Sequence, residues 1–182
     1  LFTALKRQGS KGELAALFSC WLLAGYLLAW AVFSMAATGL QWGLETAGLS
    51  DGAMMTIRSR WFAGAVMLLA GLYQFSGLKN ACLSQCRAPG QFLAEHRRPG
   101  LSGALRMGMD HGVYCLGCCW ALMALLFVGG VMNLFWITGL ALYVLVEKLV
   151  PHGDLTARLA GAGLVVAGAY FLATELGVGA DV

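Results

Sequence analysis

LAALFSCWLLAGYLLAWAVFSMAATGL, residues 14–40, is a run without one charged side chain, and its reading decides the fold. A helix rises about 1.5 Å per residue, so roughly 20 apolar residues cross the hydrocarbon core of a bilayer. Only small polar residues such as Ser19, Ser34 and Thr38 interrupt this run. It is too long for a secretory signal and lacks a small-residue cleavage site. The rest of the chain has the same character. Of 182 residues, 59% are hydrophobic and 12% charged, against about 45–50% and about 25% in soluble domains. A soluble fold of this size would have to build its surface from Leu, Ala, Val and Trp. Three Pro beside 25 Gly exclude a collagen-like repeat. The expectation is an all-α integral membrane protein.

Four more apolar runs follow, at about Trp61–Leu78, Gly112–Leu134, Phe135–Val150 and Leu155–Leu176. Gly129, Gly130 and Asn133 mark a tight turn between the third and fourth expected spans, and Pro151-His152-Gly153-Asp154 breaks the chain before the fifth. Residues 1–182 are thus expected to form one polytopic bundle of about five spans. With the N-terminus inside, Lys6, Arg7, Lys11, Lys79, Arg87, Arg97, Arg98, Arg106, Lys148 and Arg158 fall on the inner side. Only Arg58 and Arg60 fall outside. That asymmetry predicts N-in, C-out, with Trp42, Trp61 and Trp136 at the outer boundary. Gly25/Ala29, Gly163/Ala167 and Ala169/Ala173 lie four apart, a spacing that lets helix backbones approach closely.

The chemistry sits in five of the six Cys. Cys82 and Cys86 are four apart and share a helix face if the helix runs to about Arg87, before Pro89-Gly90. Cys115, Cys118 and Cys119 extend by helical spacing to His111 and Met107 on one side and Met123 on the other. Thioether, imidazole and thiolate are soft or borderline ligands, suited to Cu(I) or Zn(II) rather than Mg or Ca. Taken alone, Met107 and Met123 read first as packing and second as ligands, and Cys20 as filler. His96 and His152 read as solvated or structural. Thiol redox catalysis is the competing chemistry. The topology places the thiols at the cytoplasmic end, where they stay reduced, and that favours metal capture.

Glu147-Lys148 reads first as an interfacial anchoring pair, with a proton or ion relay second. Gln74 is expected to hydrogen-bond across a helix contact. The basic stretch Lys79–Arg106 reads as the longest loop, with Arg97, Arg98 and Arg106 against lipid headgroups. No phosphate loop, nucleophile elbow, zinc-protease motif or dinucleotide fingerprint is present, so no enzyme is expected.

Several segments carry a family resemblance: Gly71-Leu-Tyr-Gln74, Leu78-Lys-Asn-Ala-Cys-Leu-Ser-Gln-Cys-Arg87, Arg98-Pro-Gly100 and Gly103-Ala-Leu-Arg-Met-Gly108. His111-Gly-Val-Tyr-Cys-Leu-Gly-Cys-Cys-Trp120, Gly129-Gly-Val-Met-Asn133 and Glu147-Lys148 complete it. Together they resemble the bacterial membrane family designated domain of unknown function 2182, described as predicted metal-binding integral membrane proteins. The resemblance spans nearly the whole chain. It implies a polytopic helical protein of the bacterial inner membrane that handles copper. It also implies an earlier helix with a Met-Met-x-Pro motif, which is not among the present residues.

The expected function is binding, and handover or transport, of a soft metal ion. Copper(I) comes first and zinc second, on Cys82, Cys86, Met107, His111, Cys115, Cys118, Cys119 and Met123. Expected partners are membrane lipids, the ion and other membrane subunits, with no nucleic acid. The alternative is an accessory subunit of a larger membrane complex in which the Cys/His cluster is structural.

Overall fold

The computed structural model describes residues 2–51, 56–57, 59–96, 98–150 and 153–178. In chain order they form α1 (Phe2–Thr46), β1 (Ser50–Asp51), β2 (Thr56–Ile57), α2 (Arg60–Gln74) and α3 (Gly77–Arg87). Then come α4 (Pro89–Glu95), α5 (Gly100–Gly129), α6 (Leu134–Leu149) and α7 (Gly153–Val178). The two strands are a minimal antiparallel pair, Ser50 opposite Ile57 and Asp51 opposite Thr56.

Among the described residues, three helices are long and apolar enough to cross a membrane: Gly12–Thr46, Gly100–Gly129 and Gly153–Glu175. A fourth crossing exists if α2 and α3 count as one span bent by 66°. The five-span expectation therefore exceeds what helix length supports. Its fourth span corresponds to α6, whose 16 residues reach only about 24 Å at 1.5 Å per residue. Its second, Trp61–Leu78, is interrupted at Phe75-Ser76. The Phe75 amide turns back to the Leu72 carbonyl at 3.1 Å, and Ser76 Oγ caps the next helix by accepting from the Lys79 amide at 3.1 Å. Lys79–Arg106 is likewise no loop. It is helical through α3, α4 and the first turns of α5, with Pro89 at the start of α4.

Two tight crossings hold the bundle. On α1, Gly25 lies against the backbone of Leu105 and Met109, while Gly108 and Gly112 of α5 lie against Leu22, Tyr26 and Ala29. Small residues here let two backbones touch, which is how helices gain dispersion energy where lipid removes the hydrophobic drive. The second crossing joins α2 to α7 through Gly64 and Gly71 on one side and Gly161 and Gly168 on the other. The Gly25/Ala29 pair thus sits in a contact as its spacing predicts. Gly163 meets nothing within 4 Å, and Ala169 and Ala173 are exposed, so those pairs are not in a crossing.

Between the crossings, α5 carries the core. Ala121, Leu122 and Leu125 pack with Ala70 of α2. Tyr73 of α2 donates to the Gly117 carbonyl at 2.5 Å. The turn expected after α5 is present: Gly130 adopts φ +95°, and Asn133 Oδ1 accepts from the Trp136 amide at 3.3 Å, starting α6. Trp136 lies in the first turn of α6. Its indole is partly buried and donates to the Leu125 carbonyl at 2.8 Å.

Candidate metal centre

The bend after α2 lays α3 across α5. Lys79, Cys82 and Leu83 are the buried residues of α3, and Cys86 continues their face one turn on. That face meets the thiols of α5. Cys86 Sγ lies 3.1 Å from Cys115 Sγ and 3.8 Å from Cys118 Sγ. His111 Nε2 lies 3.8 Å from Cys115 Sγ. All six cysteines are free thiols. The two faces expected to meet therefore do so, on different helices and far apart in sequence.

Each expected ligand has a definite place. Cys118 and Cys119, only 1% and 3% exposed, both donate to the Cys115 carbonyl at 3.0 Å. Successive helical residues point about 100° apart, and it is Cys118, not Cys119, that reaches Cys86. Cys118 thus reaches across the flank of α5 to α3, while Cys119 bonds along its own helix. Cys82 packs against Gly117, where a Cβ would stand 2.6 Å from its Sγ. Met123 packs against the same thiol cluster. Met107 is buried, and its Sδ accepts from the Arg98 amide at 3.3 Å. Cys20 is exposed on α1. His96 stacks on Phe92 with ring centroids 4.5 Å apart, a structural role. His152 lies outside the described residues.

His111 sits between Phe92 and Tyr26, with ring centroids at 5.1 and 6.1 Å. Its Nδ1 is buried without a hydrogen-bond partner. Buried polar atoms are nearly always paired, so an imidazole held among aromatic rings with one nitrogen facing a thiol has donor capacity to spare. The charged residues near the site depart from expectation. Glu147 does not pair with Lys148. Its Oε1 lies 2.5 Å from Lys79 Nζ, and Lys79 also donates to Gln74 Oε1. All three side chains are fully buried. The usable sequence signal was Glu147, an acid in an otherwise apolar run, because a charge survives in an apolar interior only with a partner.

The donor set Cys86, Cys115, Cys118 and His111 is chemically that of a soft-metal site. Two sulfurs sharing a tetrahedral ion at about 2.3 Å stand about 3.8 Å apart. Cys86 and Cys118 already have that separation, while the 3.1 Å between Cys86 and Cys115 must open by about 0.7 Å to admit an ion. In keeping with this closed thiol contact, no group of three or more His, Cys, Asp or Glu among the described residues is already arranged around an ion position. The contact is directly testable. Mild oxidation with diamide is expected to join the Cys86 and Cys115 peptides by a disulfide, and Cys86→Ser should abolish that product. A map showing only a Cys118–Cys119 link would contradict the placement of α3.

Comparison with known proteins adds one positive finding. No curated protein matches the chain, and no solved structure does. The sequence model of the PpoB2 family, described as a copper chaperone, matches residues 1–171. With that match over nearly its whole length, the chain belongs to the PpoB2 copper chaperone family.

Proposed function

We propose that this chain is a membrane-embedded copper carrier that holds Cu(I) on Cys86, Cys115 and Cys118 with His111 as a fourth donor, and passes it on. The observation that carries this reading is the meeting of α3 and α5 thiols, with Cys86 and Cys118 at 3.8 Å across two helices. Copper is cargo here, so a site whose donors touch one another when closed suits the task. It opens by a small shift of α3 rather than by unfolding. Met123 and Cys119, farther along α5, offer the next soft donors, so copper can exchange ligands one or two at a time. The positive-inside distribution supports an inner-membrane setting with the thiols toward the reducing cytoplasm.

The test is copper retention. Loaded with Cu(I) in a reductant and desalted, the wild-type chain is expected to keep roughly one ion per site. Cys20→Ser should match it, and Cys86→Ser/Cys115→Ser should keep almost none. Equal retention by the double variant and the wild type would reduce these thiols to packing.

A further inference from the structure

The bend at Phe75-Ser76 leaves α3 without a continuous helix to fix its rotation, yet the thiol contact depends on that rotation. Two cations tie α3 to α6 and bracket the thiols. Near the start of α3, buried Lys79 pairs with Glu147 of α6 and donates to Gln74, the last residue of α2. At its end, Arg87 donates to the Val150 carbonyl, where α6 stops. Lys79, Cys82 and Cys86 follow one another at spacings of three and four, so the ammonium and both thiols share a helix face. Whatever fixes Lys79 fixes the direction of the thiols.

A buried ion pair is a poor source of stability, because desolvation offsets its attraction and apolar packing often does as well. What it supplies is a demand for one distance and one direction, which leucines sliding past each other do not make. We propose that Lys79 and Glu147 are positioning residues, a latch from α6 that sets the roll of α3 so that Cys86 faces Cys115. The consequence for copper rests on the reading under Proposed function, while the consequence for the thiol contact does not.

The experiment uses the full chain in detergent, with helicity by circular dichroism, diamide crosslinking of Cys86 to Cys115, and Cu(I) retention. Thiols whose Cβ vectors diverge cannot bridge, so Lys79→Met is expected to stay helical while its crosslink yield falls at least about fivefold. The swap Lys79→Glu/Glu147→Lys should recover at least about half of the wild-type yield, since the same two helices are again tied by opposite charges. A helical Lys79→Met protein with wild-type yield overturns the latch, and so does a loss that the swap fails to restore. If Lys79→Met does not fold, Lys79→Met/Glu147→Met leaves no charge unpaired and is read instead. A low yield there supports the latch and a wild-type yield overturns it. Copper retention unchanged by a variant that has lost the crosslink would leave the latch standing and sink the copper reading instead.

Discussion

Gly108→Leu is expected to part α1 from α5 and to be the most damaging single substitution in the bundle. A Cβ at Gly108 would overlap the Leu22 carbonyl and lie 2.8 Å from its carbon and 3.0 Å from the Tyr26 amide. All of these are backbone atoms, which cannot rotate away as a side chain does. Overpacking in an ordinary core costs about 1–3 kcal/mol. Here the only relief is to move a whole helix, so the loss should be at least about 3 kcal/mol. The damage should extend to the thiols, because Tyr26 of α1 covers His111. Gly163→Leu is the matched control on α7, where nothing lies within 4 Å, and a change of no more than about 0.5 kcal/mol is expected there. Unfolding by added SDS, followed by helicity, reads both. Equal midpoints would mean that α1 does not cross α5 at these glycines.

Cys118→Ser and Cys119→Ser are expected to differ sharply although the two residues are adjacent and equally buried. Cys118 Sγ faces Cys86 across the helix contact. Both thiols donate to the Cys115 carbonyl at 3.0 Å, a bond that a serine hydroxyl keeps, so the contact with Cys86 is what separates them. Even a change to a group behind a ligand costs about 10–100-fold in metal affinity, so losing the Cys118 donor should weaken Cu(I) binding by at least about 100-fold. Cys119→Ser should cost less than about threefold, because volume and hydrogen bond are both preserved. Competition with a chromogenic Cu(I) chelator measures the ratio. The reverse order would mean that α5 is rolled the other way, with Cys119 toward α3.

What the sequence discloses and what it hides follow from range. The apolar run in α1, the turn at Gly129–Asn133 and the thiol stripe on α5 are local patterns, read from periodicity and from residues that force a turn. The break at Ser76 is hidden. Serines at 19 and 34 sit inside α1 without breaking it, and only tertiary packing makes Ser76 a cap. The roll of a helix is hidden for the same reason, so spacing fixed the stripe on α5 but not the choice between Cys118 and Cys119. The α2–α7 crossing escapes a search for four-residue spacing because its glycines recur at seven, Gly64 with Gly71 and Gly161 with Gly168. Lys79 reads as the first of a basic stretch, and nothing near it in sequence points to α6. Glu147 has a tempting partner next door in Lys148, and its true pairing with Lys79 joins distant parts of the chain.

The most direct test of copper carriage on the joined thiols is X-ray absorption at the copper edge of the full chain loaded with one equivalent of Cu(I). Cys86, Cys115 and Cys118 with His111 predict a sulfur-dominated shell of three sulfurs and one nitrogen. A shell of nitrogen and oxygen alone, with no sulfur scatterer, would place copper elsewhere on the protein and contradict the site.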